Sequence, residues 1–255
     1  MSLIDTHCHI YSTEFAADRP AMVLRAQNED IIKMLMPAID MSTHVQMLQV
    51  ENDFPGHCMS MMGLHPCSVK ENYRDELNAV EEYFGQRSFV AVGETGLDFY
   101  WDLTFKKEQY EVFQKQIDLA IQYDIPVVIH SRNSIDESIE MIEKNQNGKL
   151  KGVFHCFSGS AEQARKIIDL NFYLGIGGVL TFKKSGLDVI MEQLDLGQVI
   201  LETDAPYLAP VPFRGKRNEC AYIKYTAQKL ADIKKTSLDE IAFITTGNAR
   251  KLFNL

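Results

Sequence analysis

Short apolar segments recur along the whole chain, and a stretch with helical periodicity follows each of them. Their ends lie roughly 20 to 37 residues apart, which is the length of one unit of a β-strand and an α-helix. Eight such units favour a closed (β/α)8 barrel, because an open sheet of this class usually has fewer strands. The predicted strands are Leu3–Thr6, Ile31–Met36, Cys58–Gly63, Phe89–Val92, Pro126–Ile129, Gly152–Phe154, Tyr173–Gly175 and Val199–Leu201.

We expect one α/β domain over residues 1–255, since no linker, sequence repeat or charge block divides the chain. That length fits a single TIM barrel of about 250 residues. A broad apolar stripe predicts a helix over Phe105–Tyr123. After the last strand, a proline-rich turn precedes two extra C-terminal helices, predicted over Tyr222–Ile233 and Leu238–Thr245.

The composition is typical of a globular protein, with 45% hydrophobic and 24% charged residues. A chain this apolar can offset the conformational entropy of folding, which excludes disorder. Its apolar runs are shorter than the ~18–20 residues of a membrane-spanning helix, and the amino terminus lacks a secretory signal. The five cysteines form no CxxC pair, which argues against a disulfide scaffold or a zinc finger. We therefore expect a cytoplasmic protein, and a monomer because no exposed apolar heptad is visible.

Imidazole and carboxylate side chains stand at the ends of six of the predicted strands. In a barrel the carboxyl ends of the strands converge on one mouth, where active sites are built. Strand alternation places His7 and His9 toward the barrel interior, while Cys8 between them points outward to the helices. Such a cluster is costly to bury without a bound partner, so the pattern predicts a metal site. The side chains are His7, His9, His65, Glu94, His130, His155 and Asp204.

Four of the five histidines and both carboxylates are predicted ligands, and His65 is not needed as one. A mixed nitrogen and oxygen set suits Zn²⁺, Mn²⁺ or Co²⁺, whereas Mg²⁺ prefers oxygen and water. Six ligands exceed the four of one tetrahedral zinc, so we expect two divalent ions bridged by a carboxylate. Glu94 is the best bridge, because its strand lies midway between the first strand and strands five and six. The alternative is that single strand-end histidines are structural; His44 and His57, outside the pattern, are expected to be surface or packing residues.

Eight segments, taken in order, are similar to those of TatD-type metal-dependent deoxyribonucleases, a branch of the amidohydrolase superfamily. The resemblance covers essentially the whole chain. One departure is Cys220, which stands where members of the family commonly have proline. The segments are IDTHCHI (4–10), GLHP (63–66), VGETGLDFY (92–100), PVVIHSR (126–132), GVFHCFSG (152–159), LETDAPYLAP (201–210), RGKRNE (214–219) and TTGNARKLF (245–253).

The resemblance implies the same barrel and a specific division of the ligands. One ion would be held by His7, His9 and Asp204, with Glu94 shared. The second ion would be held by Glu94 together with His130 and His155. The usual activity of the family is hydrolysis of nucleic-acid phosphodiesters, often as a 3′-to-5′ exonuclease on single strands.

Two further side chains near the mouth are candidates for contacts with substrate. His65 is expected to bind a phosphate oxygen or to protonate the leaving group. Arg132 follows His130 by two residues, and its planar guanidinium is suited to phosphate. The alternative for Arg132 is a salt bridge with Asp136 or Glu137 on the next helix.

Asp204 is placed to act both as a ligand and as the general base that takes a proton from water. Glu202, two residues earlier on the same strand face, has two interpretations. It either orients a ligand from behind or is a buried acid paired with Arg217 or Lys216.

A dense basic cluster follows the eighth strand, and three aromatic residues stand on mouth loops. Together they offer positive charge and stacking surface for unpaired bases. The net charge of −9, from 26 basic and 35 acidic side chains, argues against binding duplex DNA through phosphate neutralisation alone. The residues are Arg214, Lys216 and Arg217 with Tyr100, Trp101 and Tyr207.

We therefore expect a metal-dependent deoxyribonuclease that cleaves single-stranded DNA or RNA from the 3′ end, using a hydroxide activated by two ions. One alternative is a metallohydrolase for a small ester, amide or phosphodiester. Another is an aminoacyl-tRNA deacylase. A non-enzymatic, metal-dependent nucleic-acid-binding scaffold is the third, and Asp204 argues against it, because a purely structural site needs no open water position. Many relatives in the wider superfamily bridge their ions with a modified lysine; the absence of a lysine beside Glu94 favours the nuclease branch.

Overall fold

A computed structural model of the chain describes residues 2–255. In that range, eight strands alternate with helices, and a ninth helix follows at the carboxyl end. The strands are β1 (Leu3–Asp5), β2 (Ile31–Pro37), β3 (Cys58–Met61), β4 (Val92–Asp98), β5 (Val127–Arg132), β6 (Gly152–Phe154), β7 (Phe172–Ile176) and β8 (Val199–Leu201). The helices are α1 (Arg19–Asn28), α2 (Met41–Asp53), α3 (Tyr73–Gln86), α4 (Lys106–Tyr123), α5 (Ile135–Asn145), α6 (Ala161–Asp169), α7 (Leu187–Gln193), α8 (Ile223–Lys234) and α9 (Leu238–Phe253).

The strands are parallel and form a ring. Hydrogen bonding joins β1, β2 and β3 in sequence order, and β4 to β8 in the same way. A bridge between Met62 and Val92 links the end of β3 to β4. On the other side, the Thr6 N–H donates to the Leu201 carbonyl over 3.1 Å, next to β1 and β8. The predicted (β/α)8 barrel is confirmed.

Two apolar layers stabilise the barrel. The outer layer lies between the strands and the helices around them, and it includes Cys8, as predicted. The inner layer takes one side chain from each strand or its edge and meets α9, which packs beneath the barrel. Its members are Ile4, Leu35, Met61, Ala91, Val128, Val153, Tyr173 and Ile200, with Ala249, Leu252 and Phe253 of α9. The polar side chains at the carboxyl ends of the strands lie beyond this layer.

The fourth strand differs most from its prediction. β4 covers Val92–Asp98 instead of Phe89–Val92, so Glu94 lies inside the strand and not at its end. All seven residues of β4 are buried, although its sequence, VGETGLD, has no apolar run and contains two glycines and two acidic residues, which are depleted in strands. At Gly96, with φ of 130°, a Cβ atom would lie 2.1 Å from the carbonyl oxygen of His130. The close approach of β4 and β5 therefore requires a glycine at this position. The same glycine lowers the strand propensity of the sequence, and the strand was therefore not predicted here.

The remaining elements match their predictions with shifted ends. β5 continues to Arg132, so His130 also lies inside a strand. β1 ends at Asp5, which places His7 and His9 on the loop that follows it. α9 extends to Phe253, well beyond the predicted end at residue 245. Among residues 2–255, no helix combines the length and the apolar composition needed to cross a bilayer.

Candidate metal centre

The carboxylate of Glu94 occupies the middle of the site, and each of its oxygens meets a different group of side chains. Glu94 Oε2 lies 3.1 Å from His7 Nε2 and 3.6 Å from His9 Nε2. The same two nitrogens are 3.8 and 3.5 Å from Asp204 Oδ1, and they are 3.2 Å from each other. The structure thus brings together all four residues that the resemblance implied for the first ion.

The second oxygen of Glu94 faces three imidazoles. Oε1 lies 3.1 Å from His130 Nδ1, 3.3 Å from His155 Nε2 and 3.4 Å from His65 Nε2. His130 and His155 are the residues implied for the second ion. His65, predicted to contact substrate, lies beside them.

The donors of the first group have spacings that fit a divalent cation. Four ligands of a tetrahedral zinc at about 2.0–2.1 Å are separated from one another by roughly 3.3 Å, and the donor atoms here are separated by 3.1–3.8 Å. Four little-exposed carboxylates meet around the centre, and within residues 2–255 no lysine or arginine pairs with them. The clusters could hold metal ions, because buried anions need a cation as partner. The carboxylates are Glu94, Asp98, Glu202 and Asp204.

A hydrogen bond behind the ring orients His9 toward the centre. The Tyr11 hydroxyl donates to the carbonyl of Pro37 over 2.7 Å, so it accepts from His9 Nδ1 at 2.9 Å. The remaining nitrogen of His9, Nε2, is then unprotonated and faces Glu94. This is the tautomer that a metal ligand requires.

A hydrogen bond to Glu202 likewise orients His155 toward the centre. Glu202 is buried, and its Oε1 accepts from His155 Nδ1 at 3.1 Å and from the Cys156 N–H at 2.6 Å. Glu202 therefore orients a candidate ligand, which was one of its two predicted roles. The alternative pairing with Arg217 or Lys216 is wrong, because both cations lie on the loop after β8 with other partners.

His65 differs from the candidate ligands in the position of its proton. Its Nδ1 accepts from the Cys67 N–H over 3.0 Å, so the proton of the neutral ring is on Nε2, which faces Glu94. Burial lowers the pKa of His65, which keeps the ring neutral. A protonated nitrogen cannot coordinate a metal, so the hydrogen bonds distinguish His65, a donor, from the imidazoles that can be ligands.

Both central carboxylates are held in the ionised form. Burial alone would raise the pKa of Glu94, but the imidazoles around it, led by His155, hold this pKa well below its ordinary value. Burial would likewise raise the pKa of Asp204, and the contact with His9 together with the other nearby imidazoles lowers it instead. Each carboxylate is therefore available to a cation near neutral pH.

Glu94, Asp204 and four of the five imidazoles, all except His7, line a cavity of about 710 Å³ at the mouth of the barrel. Its rim includes aromatic side chains that solvent can reach: Trp101 is 67% exposed and Tyr207 is 49% exposed. Tyr100, next to Trp101, is 53% exposed. A volume of this size is in the range of small-ligand sites. Large exposed rings beside such a cavity offer stacking surface to a planar ligand.

Arg132 lies on the same rim. Its guanidinium carbon is 3.9 Å from the centre of the Tyr100 ring and 5.1 Å from that of Trp101. Arg132 lines the cavity and, within residues 2–255, forms no ion pair with Asp136 or Glu137, so that alternative is wrong. The contacts with the rings leave the N–H donors of the guanidinium available to a ligand.

The basic cluster after β8 is engaged away from this cavity. Arg217 donates to both oxygens of Asp18, at 2.7 and 2.8 Å, and to the carbonyl of Glu14 at 2.7 Å. Arg214 lies over the ring of Phe182, with its guanidinium carbon 3.7 Å from the ring centre. Neither arginine lines the cavity. The structure thus does not bring Arg214 and Arg217 to the candidate site with Arg132.

Two polar residues of the site were missed from the sequence, Tyr11 and Asp98. Asp98 is buried and accepts from His130 Nε2 at 2.8 Å. Its signal was strand alternation, since it lies four residues after Glu94 and so on the same face of β4. Because the predicted strand ended at Val92, Glu94 and Asp98 were not recognised as residues of one strand face. For Tyr11 the sequence contains no comparable pattern.

Below the centre, Cys220 takes the position where proline is common in the family. It is fully buried, and its sulfur lies within 4.8 Å of a carboxyl oxygen of Asp5 and of the sulfur of Cys8. Thr203 donates to both oxygens of the same carboxyl, at 2.9 and 2.6 Å. The hydrogen bonds of Asp5 with Thr203 therefore join the end of β1 to the segment after β8.

Comparison with known proteins agrees with this architecture. A family model described as TatD related DNase matches residues 4–254. The chain belongs to this family. The uncharacterized metal-dependent hydrolase YabD of Bacillus subtilis is 36% identical over 257 residues, covering 99% of both chains. The crystal structure of YjjV, a TatD homolog from Escherichia coli, has a TM-score of 0.93 and 30% identity, covering 99% of this chain and 98% of that one.

A TatD relative with a more specific name is the 3′-5′ ssDNA/RNA exonuclease TatD of Salmonella typhimurium, 29% identical over 259 residues and covering 99% of both chains. The resemblance predicted from the eight segments is confirmed by these matches. This chain is thus a metal-dependent hydrolase of the TatD family with a TIM-barrel fold.

Proposed function

We propose that this TatD-family hydrolase is a 3′-to-5′ exonuclease that removes nucleotides from single-stranded DNA or RNA with two divalent ions. The observation that carries the proposal is the division of donors between the two oxygens of Glu94. His7, His9 and Asp204 would hold one ion with Oε2, and His130 and His155 would hold the other with Oε1. The name of the Salmonella relative, a 3′-5′ ssDNA/RNA exonuclease, supports the choice of substrate.

Asp204 is the residue we assign to proton transfer. Divalent ions, when bound, lower the pKa of a coordinated water to about 7 and polarise a phosphoryl oxygen. Both carboxylates line the cavity, but the side chain of Asp204 is 15% exposed whereas that of Glu94 is 3% exposed, so Asp204 is the more accessible of the two. Its lowered pKa keeps it ionised, and an ionised carboxylate can accept the proton of the attacking water.

His65 would act as a hydrogen-bond donor to the phosphate. Its Nε2–H points to the centre from the side of His130, with ring centres 4.5 Å apart. A neutral N–H fixed in this direction stabilises negative charge that develops on a non-bridging or leaving oxygen. Because burial lowers its pKa, His65 contributes through this bond and not through a positive charge.

The rim supplies contacts for an unpaired nucleotide. Arg132 presents guanidinium donors suited to a backbone phosphate, and Trp101 and Tyr207 present exposed rings suited to bases. Stacking on such rings requires a base that is not paired, which favours a single strand over a duplex. The net charge of −9 is in accord with a local contact of this kind instead of an extended basic groove.

The test is hydrolysis of a 5′-labelled single-stranded oligonucleotide by protein stripped with chelator and reloaded with Mg²⁺, Mn²⁺, Co²⁺ or Zn²⁺. We expect a ladder that shortens one nucleotide at a time from the 3′ end, and blunt duplex cleaved more slowly. Asp204→Asn should lower kcat by roughly 100- to 10 000-fold while most of the metal stays bound. The matched control is Asp232→Asn, on the outer helix α8, which should leave kcat unchanged.

Other substrates are assayed in parallel so that a negative result is informative. The parallel substrates are a small aryl ester, a bis-aryl phosphodiester and an aminoacyl-tRNA. Turnover of one of these, with no shortening of the oligonucleotide under any metal, would refute the nuclease proposal and leave a metallohydrolase of that class. Unchanged shortening by Asp204→Asn would refute the role of Asp204. A monomeric state and a location in the cytoplasm stay predictions beside this proposal.

A further inference from the structure

Asp98 is buried between the candidate metal centre and the loop that carries the rim aromatics, and it contacts both. Its Oδ2 accepts from His130 Nε2 at 2.8 Å. Its Oδ1 accepts from the backbone N–H groups of Tyr100 and Trp101 at 2.9 and 3.1 Å. One oxygen of Asp98 therefore contacts the ring of His130, and the other accepts the first backbone N–H groups of the rim loop.

The bond to Oδ2 decides which nitrogen His130 turns to the centre. A proton on Nε2, held by Asp98, leaves Nδ1 without a proton in the neutral ring, and Nδ1 is the atom 3.1 Å from Glu94 Oε1. Without this acceptor, the ring could carry its proton on Nδ1 and donate it to Glu94. That tautomer would place a proton where a metal has to bind.

The position of Asp98 is itself fixed from behind. Gln109 on α4 accepts from the Asp98 N–H at 2.9 Å through Oε1 and donates to the Asp98 carbonyl at 3.2 Å through Nε2. Asp98 is 1% exposed and Gln109 is 3% exposed, so water does not compete for these bonds. A carboxylate held on both sides in this way cannot turn away from His130 without breaking backbone contacts of the loop.

We propose that Asp98 is a positioning residue that makes His130 a competent metal ligand and, through its other oxygen, ties that ligand to the rim loop of Tyr100 and Trp101. The inference rests on the proposed function only for the metal-binding role of His130. It predicts that the two effects of Asp98 can be separated by substitution, because each depends on a different oxygen.

Asparagine and alanine distinguish the two oxygens. In Asp98→Asn the amide oxygen can still accept from the N–H groups of the loop. The amide nitrogen, however, faces the N–H of His130, and because both groups are donors this hydrogen bond is lost. In Asp98→Ala both acceptors are lost. The matched control is Asp102→Asn in the same loop, because Asp102 accepts from the Thr104 N–H and pairs with Lys70 but does not contact His130.

Two readouts are needed, neither of which is catalytic activity. Titration of the metal-free protein with Co²⁺ alone, followed by calorimetry and visible absorption, measures the affinity of each ion. Acrylamide quenching of Trp101, the one tryptophan in the sequence, measures exposure of the rim loop. In Asp98→Asn we expect one Co²⁺ affinity to fall by about 10- to 100-fold and the other to change little, with quenching as in the wild type.

The remaining variants complete the test. Asp98→Ala should show the same loss of one affinity together with increased quenching, and Asp102→Asn should show both wild-type Co²⁺ affinities. Two unchanged affinities in Asp98→Asn would overturn the inference, as would an equal loss at both ions. A wild-type protein that binds no Co²⁺ would instead refute the metal assignment of the proposed function.

Discussion

Two of the three arginines predicted from the sequence to bind substrate, Arg132 and Arg217, lie in different places, and their substitution should have opposite effects. Arg132 lies on the cavity rim over aromatic rings. Arg217 joins the loop after β8 to the start of α1 through Asp18. We therefore predict that Arg217→Ala lowers stability without weakening substrate binding, whereas Arg132→Ala weakens substrate binding and leaves stability nearly unchanged.

The size of the stability loss follows from the contacts of Arg217. The side chains of Arg217 and Asp18 are 31% and 34% exposed, so solvent screening limits their ion pair to about 1 kcal/mol. The bond to the Glu14 carbonyl adds about 0.5–1 kcal/mol. The guanidinium carbon is 4.5 Å from the centre of the Phe15 ring, a contact worth about 0.5 kcal/mol. A total of about 2 kcal/mol corresponds to a fall in Tm of roughly 4–8 °C in a chain of this size.

Arg132→Ala is expected to weaken the binding of substrate. One charged contact with a phosphate contributes about 1.5–3 kcal/mol, which corresponds to a rise in KM of roughly 10- to 100-fold. Thermal unfolding monitored by circular dichroism gives Tm, and oligonucleotide hydrolysis gives KM. Lys216→Ala is the control beside Arg217, since Lys216 is exposed and, among residues 2–255, its side chain contacts only the ring of Phe213, at 5.9 Å. It should change neither quantity.

The opposite pattern would refute this reasoning. If Arg217→Ala raised KM as much as Arg132→Ala and left Tm unchanged, its ion pair with Asp18 would not describe the protein in solution. The sequence-based interpretation of Arg217 as a phosphate contact would then be right. If neither substrate nor inhibitor binding could be measured, the Tm difference between Arg217→Ala and Lys216→Ala would still test the stability half of the prediction.

Three further predictions concern stability. Phe253→Ala, in the helix beneath the barrel, should cost about 3–5 kcal/mol in urea unfolding, and a cost below about 1 kcal/mol would contradict its place in the inner layer. Removal of metal by chelator should lower Tm, and readdition at about a thousand times Kd should restore about 4 kcal/mol; a Tm that does not respond would argue against bound ions at the carboxylate cluster. Hydrogen bonds from Arg217 and Arg25 hold the pKa of Asp18 below its ordinary value, so its stabilisation is fully present above the unfolded pKa of about 4 and is lost below it. Asp18→Asn should therefore be less stable than wild type at pH 7 by about 1 kcal/mol and converge with it as the pH falls below about 4; a constant difference across that range would contradict the ion pair.

The barrel could be predicted because its signal is local and repeated. Each predicted strand overlaps the observed one, although β4 shares only Val92 with its prediction. The prediction of β4 was wrong because its residues form the site and allow close contact with β5, and several of them have low strand propensity. Local patterns fail at such positions, since tertiary contacts outweigh the intrinsic preference of the residue.

The partners of the charged residues could not be predicted for a related reason. Arg217 is separated from Asp18 by 199 residues, and His155 from Glu202 by 47. A basic run after the last strand has the same sequence whether it contacts a ligand or an acid that precedes the first helix. Only the closure of the ring, which brings the two ends of the chain together, selects between these outcomes.

The candidate ligands themselves could be identified by residue type and position, but the atom that each presents could not. Three of the five central imidazoles donate to an oxygen behind the ring, of Tyr11, Asp98 or Glu202, and so turn an unprotonated nitrogen to Glu94. His65 instead accepts a backbone N–H and presents a proton. A substitution of any of these partners would keep every metal-binding side chain and still change which atom meets the ion. Metal affinity in this protein should therefore depend on the residues behind the histidines as well as on the histidines.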